Sequence, residues 1–187
     1  MIADKPVSAA DLPESHKGKL AFTPERMKIF KETVAKYEVA QSALLPTLHL
    51  AQEQWGFLST PVLDYVADLL KLTQRHVYEC ATFYTMFRKK DWGKYHLQVC
   101  QNISCTLMGG EAIFKVIEEE LGIKPGQVTA DKKFGCMPVE CLGSCDTAPV
   151  CQINDDYAEK LSPEKFREIL RALKAGDESK LKAAVNV

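Results

Sequence analysis

The chain has 187 residues, room for one ordinary domain or two small ones and too few for a barrel enzyme. Lys and Arg number 24 against 25 Asp and Glu, a formal net charge of -1, so no excess positive charge exists to hold a polyanion and nucleic acid is excluded as the main ligand. Apolar residues at 46% and charged residues at 26% are those of a soluble, folded protein.

No apolar run approaches the roughly 18 residues that cross a bilayer. The start carries Asp4, Asp11 and Glu14 and lacks the apolar segment of a signal peptide, so the cytosol is the expected compartment, with no direct membrane insertion. Seven cysteines, an odd number in a reducing compartment, point to metal ligation or redox chemistry and away from a disulfide framework.

In chain order, residues 1–21 are expected to be a loose segment and 22–90 a small antiparallel helical bundle. Thr23-Pro24 is a helix cap with a proline at the first turn, followed by Met27, Phe30, Val34 and Tyr37 at helical spacing. Leu44, Leu48, Ala51 and Trp55 form the next stripe, which stops at Gly56. Thr60-Pro61 repeats the cap before Val62, Leu63, Val66 and Leu70, and Thr73 opens a fourth helix with Val77, Cys80, Ala81 and Tyr84 inside. Arg88 to Gly93 breaks this periodicity and reads as a charged linker.

Residues 91–176 then change pattern to strand, helix, strand, strand, helix. Tyr95, Leu97 and Val99 alternate with polar residues and predict a strand that ends at Cys100. Residues 109–121 predict a helix. Phe134 to Glu140 predicts a strand, which Pro138 confines to an edge or to a position where its missing amide does no harm. Val150 to Ile153 pairs with a short strand at Tyr157 through the turn Asn154-Asp155-Asp156. Ser162-Pro163 caps a last helix striped by Phe166, Ile169, Leu170 and Leu173, and 177–187 is expected to be a loose tail. The fold class is α+β or α/β, and this element order is the one used by thioredoxin-like domains.

Four cysteines lie in two pairs, Cys100 with Cys105 and Cys141 with Cys145, each at the end of a predicted strand. Loops at the same end of neighbouring parallel strands sit side by side, so the four sulfurs can converge. Soft thiolates suit zinc or an iron-sulfur cluster. Neither pair contains the histidine of Rieske ligation, and no C-x-x-C supports a thioredoxin-type disulfide. Gly143 leaves room for a cluster to approach backbone, and Gly109-Gly110 either does the same or makes a plain turn.

Four residues also separate Cys136 from Cys141, and spacing leaves Cys136 open as a ligand. Cys80 and Cys151 read as packing residues. His16, His49, His76 and His96 form no ligand-spaced pair and read as surface or packing residues.

VCQNISC followed by MGG, VECLGSCDTAPVCQIND, a helix opening LSPEKF and the earlier ATFYTMF resemble the E-subunit family of the NADH-quinone oxidoreductases of respiratory complex I. The resemblance covers residues 22–173. Gamma-type subunits of NAD-linked hydrogenases and formate dehydrogenases share the pattern. The resemblance implies a thioredoxin-like domain with one 2Fe-2S cluster held by Cys100, Cys105, Cys141 and Cys145, so that Cys136 is not a ligand. Cys151 stands where similar sequences lead one to expect Met or Val.

The resemblance further implies that NADH and FMN bind a partner flavoprotein, the F subunit, and that the assembly is peripheral to the inner membrane of a bacterium. The chain would then be part of an oxidoreductase without its own NADH site. In agreement, it has no G-x-G-x-x-G after a strand and no phosphate-cradling G-x-x-x-x-G-K-[ST] loop. A structural zinc-binding module is the alternative from another class.

Overall fold

Thr23 opens the first helix as a side-chain cap. Its Oγ1 accepts a hydrogen bond from the Arg26 amide at 3.3 Å, and Pro24 follows where its missing N–H removes no intrahelical bond. The structure is a computed structural model that describes residues 12–179 and 181, and it divides into two compact units between Asp91 and Trp92.

Among the described residues the first unit holds four α-helices: α1 (Pro24–Val34), α2 (Leu44–Trp55), α3 (Thr60–Leu70) and α4 (Gln74–Phe83). Their apolar stripes meet in one core, in which Leu48, Ala51, Val62, Val66, Val77 and Ala81 are fully enclosed. Burial of each large aliphatic side chain there contributes about 1.5–3 kcal/mol. Thr73 caps α4 through the His76 amide.

The expected cap at Thr60 shifts by one residue, because Ser59 is the N-cap and its hydroxyl makes no capping bond. That hydroxyl is taken by His16, whose Nδ1 lies 2.8 Å away while Nε2 bonds the Trp55 carbonyl at 2.9 Å. The same contact corrects the expectation of a loose segment over 1–21. Leu12 and His16 are buried, His16 stacks on Phe57 at 4.2 Å, and Phe22 sits between Trp55 and Tyr65. Residues 1–11 lie outside the described residues.

The second unit is built on a four-stranded mixed sheet, order β2-β1-β3-β4. The strands are β1 (Tyr95–Cys100), β2 (Phe134–Val139), β3 (Cys151–Ile153) and β4 (Asp156–Ala158). β1 and β2 run parallel in the register Cys100↔Val139, whereas β3 is antiparallel to both β1 and β4. Pro138 falls on the edge strand β2, where a missing amide breaks no inner ladder.

Between β1 and β2 come a short helix, α5 (Ile103–Leu107), which the sequence pattern did not predict, and α6 (Gly110–Leu121). The last helix, α7 (Pro163–Ala175), is capped by Ser162, whose Oγ accepts the Lys165 amide. Leu97, Val99, Cys136, Cys151 and Ile153 of the sheet pack with Ile113 and Ile117 of α6 and Phe166, Ile169, Leu170 and Leu173 of α7.

Side chains alternate across a strand, so Cys100 points away from that core. His96 departs from the expected half-exposed alternation: it is buried and stacks on Trp92 at 4.7 Å, so the end of the predicted charged linker is a core residue of this unit. The tail is corrected as well. Glu178 accepts the Tyr95 hydroxyl at 2.9 Å and Leu181 is buried, which ties residues 177–179 and 181 to the domain. Residues 180 and 182–187 lie outside the described residues.

Candidate metal centre

Cys100 is the last residue of β1, and the chain turns from it into α5, which carries Cys105. The turn is made by local polar groups. Asn102 caps α5 by accepting the Ile103 amide at 2.8 Å, and Thr106 Oγ1 bonds the Gln101 carbonyl at 3.0 Å. Gly110, the first residue of α6, lies against this loop so closely that a Cβ would stand 2.8 Å from the Cys105 carbonyl oxygen and 3.4 Å from that of Cys100. Its role is therefore to let helix and loop backbones touch.

The second pair follows β2. The Gln101 amide bonds the Val139 carbonyl at 3.0 Å, extending the parallel ladder beyond the strands and bringing the Cys141–Cys145 loop beside the first. Gly143 adopts φ 82° and its amide lies 3.4 Å from Cys141 Sγ. A Cβ there would meet nothing within 4 Å, so the left-handed backbone, not lack of room, calls for glycine.

The four thiols form one group. Cys141 Sγ and Cys145 Sγ are 3.4 Å apart. Cys105 is pushed up to about 11 by burial first and then by its hydrogen bond with Cys100, and the neighbouring Cys145 adds to this. The Gly143 amide holds Cys141 below the ordinary thiol value. Its bond with Cys141 raises Cys145, against a hydrogen bond from the Ser104 side chain that lowers it.

Cys100 and Cys105 are buried beside Val150, whereas Cys141 and Cys145 are exposed. Around the first pair, Ile103, Leu107 and Met108 are 71%, 80% and 63% exposed, so α5 turns apolar side chains outward.

Cys136 and Cys151 lie elsewhere. Both are fully enclosed in the core under α6 and α7. Burial alone pushes Cys136 up to about 12 and, with Cys136 nearby, takes Cys151 far above the ordinary thiol value. Cys80 is half-buried against the bundle core. Of the histidines, His49 packs on Phe87 at 4.9 Å and His76 meets Gln41 at 3.2 Å.

Among the described residues no three His, Cys, Asp or Glu side chains are placed to hold a single metal ion. The soft thiols of Cys100, Cys105, Cys141 and Cys145, standing as two pairs, fit an iron-sulfur cluster, whose protein ligands they would be.

Sequence reasoning missed the groups around the second loop. Ser104 reaches Cys145, Tyr157 Oη bonds the Leu142 carbonyl at 2.8 Å, and Glu159 accepts hydrogen bonds from Ser144 and Thr147. In the sequence Glu159 sits among Asp155, Asp156 and Lys160, which reads as an ordinary solvated turn.

Comparison with known proteins finds relatives along most of the chain. The E subunit of the NADH-quinone oxidoreductase of Rickettsia bellii (strain RML369-C) is 46% identical over 157 residues, 82% of this chain and 94% of the relative. The E 2 subunit of the NADH-quinone oxidoreductase of Rhizobium meliloti (strain 1021) is 43% identical over 143 residues, 76% of this chain and 85% of the relative.

In fold, the chain is similar to a solved NAD+-reducing NiFe-hydrogenase in the air-oxidized state. The TM-score is 0.67 at 22% identity, over 77% of this chain and 25% of the hydrogenase chain. The thioredoxin-like 2Fe-2S ferredoxin family matches residues 30–174, and with most of its length inside that match the chain belongs to this family.

Proposed function

We propose that the chain is the E subunit of an NADH-quinone oxidoreductase, carrying one 2Fe-2S cluster on Cys100, Cys105, Cys141 and Cys145. The observation that carries this reading is the meeting of two cysteine pairs at the ends of the adjacent parallel strands β1 and β2. The family match and the E-subunit relatives support it.

When bound, the cluster takes up and passes on one electron at a time. The chain's own residues do the rest. Cys100 and Cys105 would bind from the buried side and Cys141 and Cys145 from the exposed side. The Gly143 amide offers Cys141 the kind of hydrogen bond to sulfur that tunes a cluster's potential.

On this reading the electron donor is the FMN of a partner flavoprotein, the F subunit, which would also bind NADH, as the resemblance to E subunits implies. The lack of a dinucleotide fingerprint and phosphate loop in this chain is compatible with it. Among the described residues no helix is long and apolar enough to cross a membrane, and the attachment proposed is peripheral, on the cytoplasmic side, through other subunits. A second reading, the gamma-type subunit of an NAD-linked hydrogenase, draws support from the shared fold of the hydrogenase chain.

The test is iron and zinc analysis of anaerobically purified protein, with absorbance and low-temperature EPR before and after dithionite. The expected result is about two irons per chain, a visible band that bleaches and a signal in the reduced state. One zinc and no redox response would sink the electron-transfer reading in favour of a zinc-binding module. Co-purification with a quinone-linked or a hydrogenase-linked flavoprotein separates the two assemblies.

A further inference from the structure

The loop from Cys141 to Pro149 has little regular structure, a single 3-10 turn at Cys145–Thr147, yet it carries both exposed thiols. What holds it is β4 and the segment that follows it. Tyr157 Oη donates to the Leu142 carbonyl at 2.8 Å. One carboxylate oxygen of Glu159 accepts from Ser144 Oγ and, at 3.0 Å, from Thr147 Oγ1. The Lys160 amide bonds the Thr147 carbonyl at 2.7 Å and the Leu161 amide bonds that of Pro149 at 3.1 Å. Lys165 Nζ reaches back to the Glu159 carbonyl at 2.7 Å.

Lys160 has φ 46°, a left-handed conformation unusual for a side-chain-bearing residue. At this residue the chain presents the Glu159 carboxylate and the Lys160 amide to the same turn. A left-handed non-glycine residue persists only where its surroundings over-determine it, and such residues gather at functional sites.

We propose that Glu159 and Tyr157 are positioning residues for the redox centre: Tyr157 acts through Leu142 and Glu159 through Ser144 and Thr147 to hold Cys141 and Cys145, and the Glu159 charge sets the cluster's potential. The inference rests on the 2Fe-2S reading. Three features separate this role from plain packing. The carboxylate is bound by hydroxyls on both sides of Cys145, one of them its sequence neighbour. The Ser144 and Thr147 hydroxyls hold it below the ordinary carboxylate range, so it is ionised at neutral pH. A fixed negative charge hydrogen-bonded to Ser144 and Thr147, on either side of Cys145, disfavours an added electron at the centre, and local charge and hydrogen bonding are the means by which proteins tune such centres.

The experiment uses full-length holo protein of wild type, Glu159→Gln, Glu159→Ala and Tyr157→Phe. An EPR-monitored redox titration gives the potential, and iron release to a chelator gives the hold on the cluster. Glu159→Gln keeps an acceptor oxygen and removes the charge. It is expected to shift the reduction equilibrium toward the reduced form about three- to tenfold, ~28 to 59 mV for a one-electron couple.

Glu159→Ala and Tyr157→Phe are expected to release iron about tenfold faster, with the tyrosine variant moving the potential least. A wild type that binds no 2Fe-2S cluster overturns the parent reading. A normal wild-type cluster, with Glu159→Gln at the wild-type potential and both other variants releasing iron at the wild-type rate, overturns this inference alone. Should Glu159→Ala fail to fold, Glu159→Gln and Tyr157→Phe decide it.

Discussion

The two cysteine loops lie side by side and are built in opposite ways. Cys100 and Cys105 are buried, one at the end of a strand and one in a capped helix, and the groups that shape their loop, Asn102, Thr106 and Gly110, lie within ten residues of Cys100. Cys141 and Cys145 are exposed, and their loop is held by side chains and amides from Tyr157 to Leu161. A local loop is specified by its own sequence and by the packing above it. A loop clamped from a distance depends on the β3–β4 hairpin being in place.

Replacing each cysteine in turn tests this asymmetry most severely. Cys→Ala at 100, 105, 141 or 145 is expected to remove most of the bound iron in every case, read by metal analysis. The stability of the metal-free protein should divide the set: Cys100→Ala and Cys105→Ala lose about 1 kcal/mol from the buried side, while Cys141→Ala and Cys145→Ala stay within about 0.5 kcal/mol. Equal losses in urea denaturation at all four positions would break the comparison.

The glycines sharpen it. Gly110→Ala drives a Cβ against backbone oxygen at 2.8 Å and should cost about 3 kcal/mol, since α6 must move off the loop. Gly143→Ala has open space but φ 82°, and should cost about 1 kcal/mol from the left-handed backbone alone. Denaturation midpoints of the two variants give the order, and the reverse order would place the tighter constraint on the second loop.

Alkylation of the metal-free protein, followed by mass spectrometry, reads the same contrast in rates. Cys141 and Cys145, being exposed, are expected to react first and Cys100 and Cys105 slowly. Cys136 and Cys151, fully enclosed, should react only on unfolding. With Cys136 pushed up to about 12, it stays a neutral thiol through pH 9, so raising the pH from 7 to 9 should not open it to reagent.

The smallest effect is a control remote from both loops. Glu120 on α6 pairs with Arg171 at 2.7 Å and Arg167 at 3.2 Å on α7, and this holds its carboxyl below the ordinary 4.5. A carboxyl depressed in the folded state contributes stability that is complete above pH 4.5 and is lost as pH falls through the lower folded value. Glu120→Gln should therefore show a shallower loss of stability below pH 4.5 than wild type, in acid titration of the melting temperature, with iron content at neutral pH unchanged.

Much of the fold is legible in the chain because its signals are local. The caps at Thr23, Thr73 and Ser162, the period-two run at Tyr95 to Val99 and the stripe from Phe166 to Leu173 each depend on neighbours within one or two turns. α5 has only five residues and no room for a periodic pattern, so it escapes such reading. Trp92 looks like part of a charged linker until β1 offers it His96 to stack on, and the Ser59 hydroxyl looks unremarkable until His16 arrives from 43 residues away.

The cysteine pairs, their spacing and the strands that lead to them were all visible in sequence. Spacing could not set Cys136 aside, because the four-residue gap between it and Cys141 repeats the gap between Cys100 and Cys105. The sheet register separates Cys136 from Cys141 physically: Cys136 pairs with Leu97 and faces the core under α6 and α7, while the chain beyond Val139 carries Cys141 toward the loop of Cys105. What a residue does within a few positions of itself is written in its local sequence. Which thiols come together beyond β1 and β2, and that Tyr157 and Glu159 bond Leu142, Ser144 and Thr147 of the second cysteine loop, depends on strand pairing and side-chain alternation between segments far apart in the chain, and only the tertiary structure decides that.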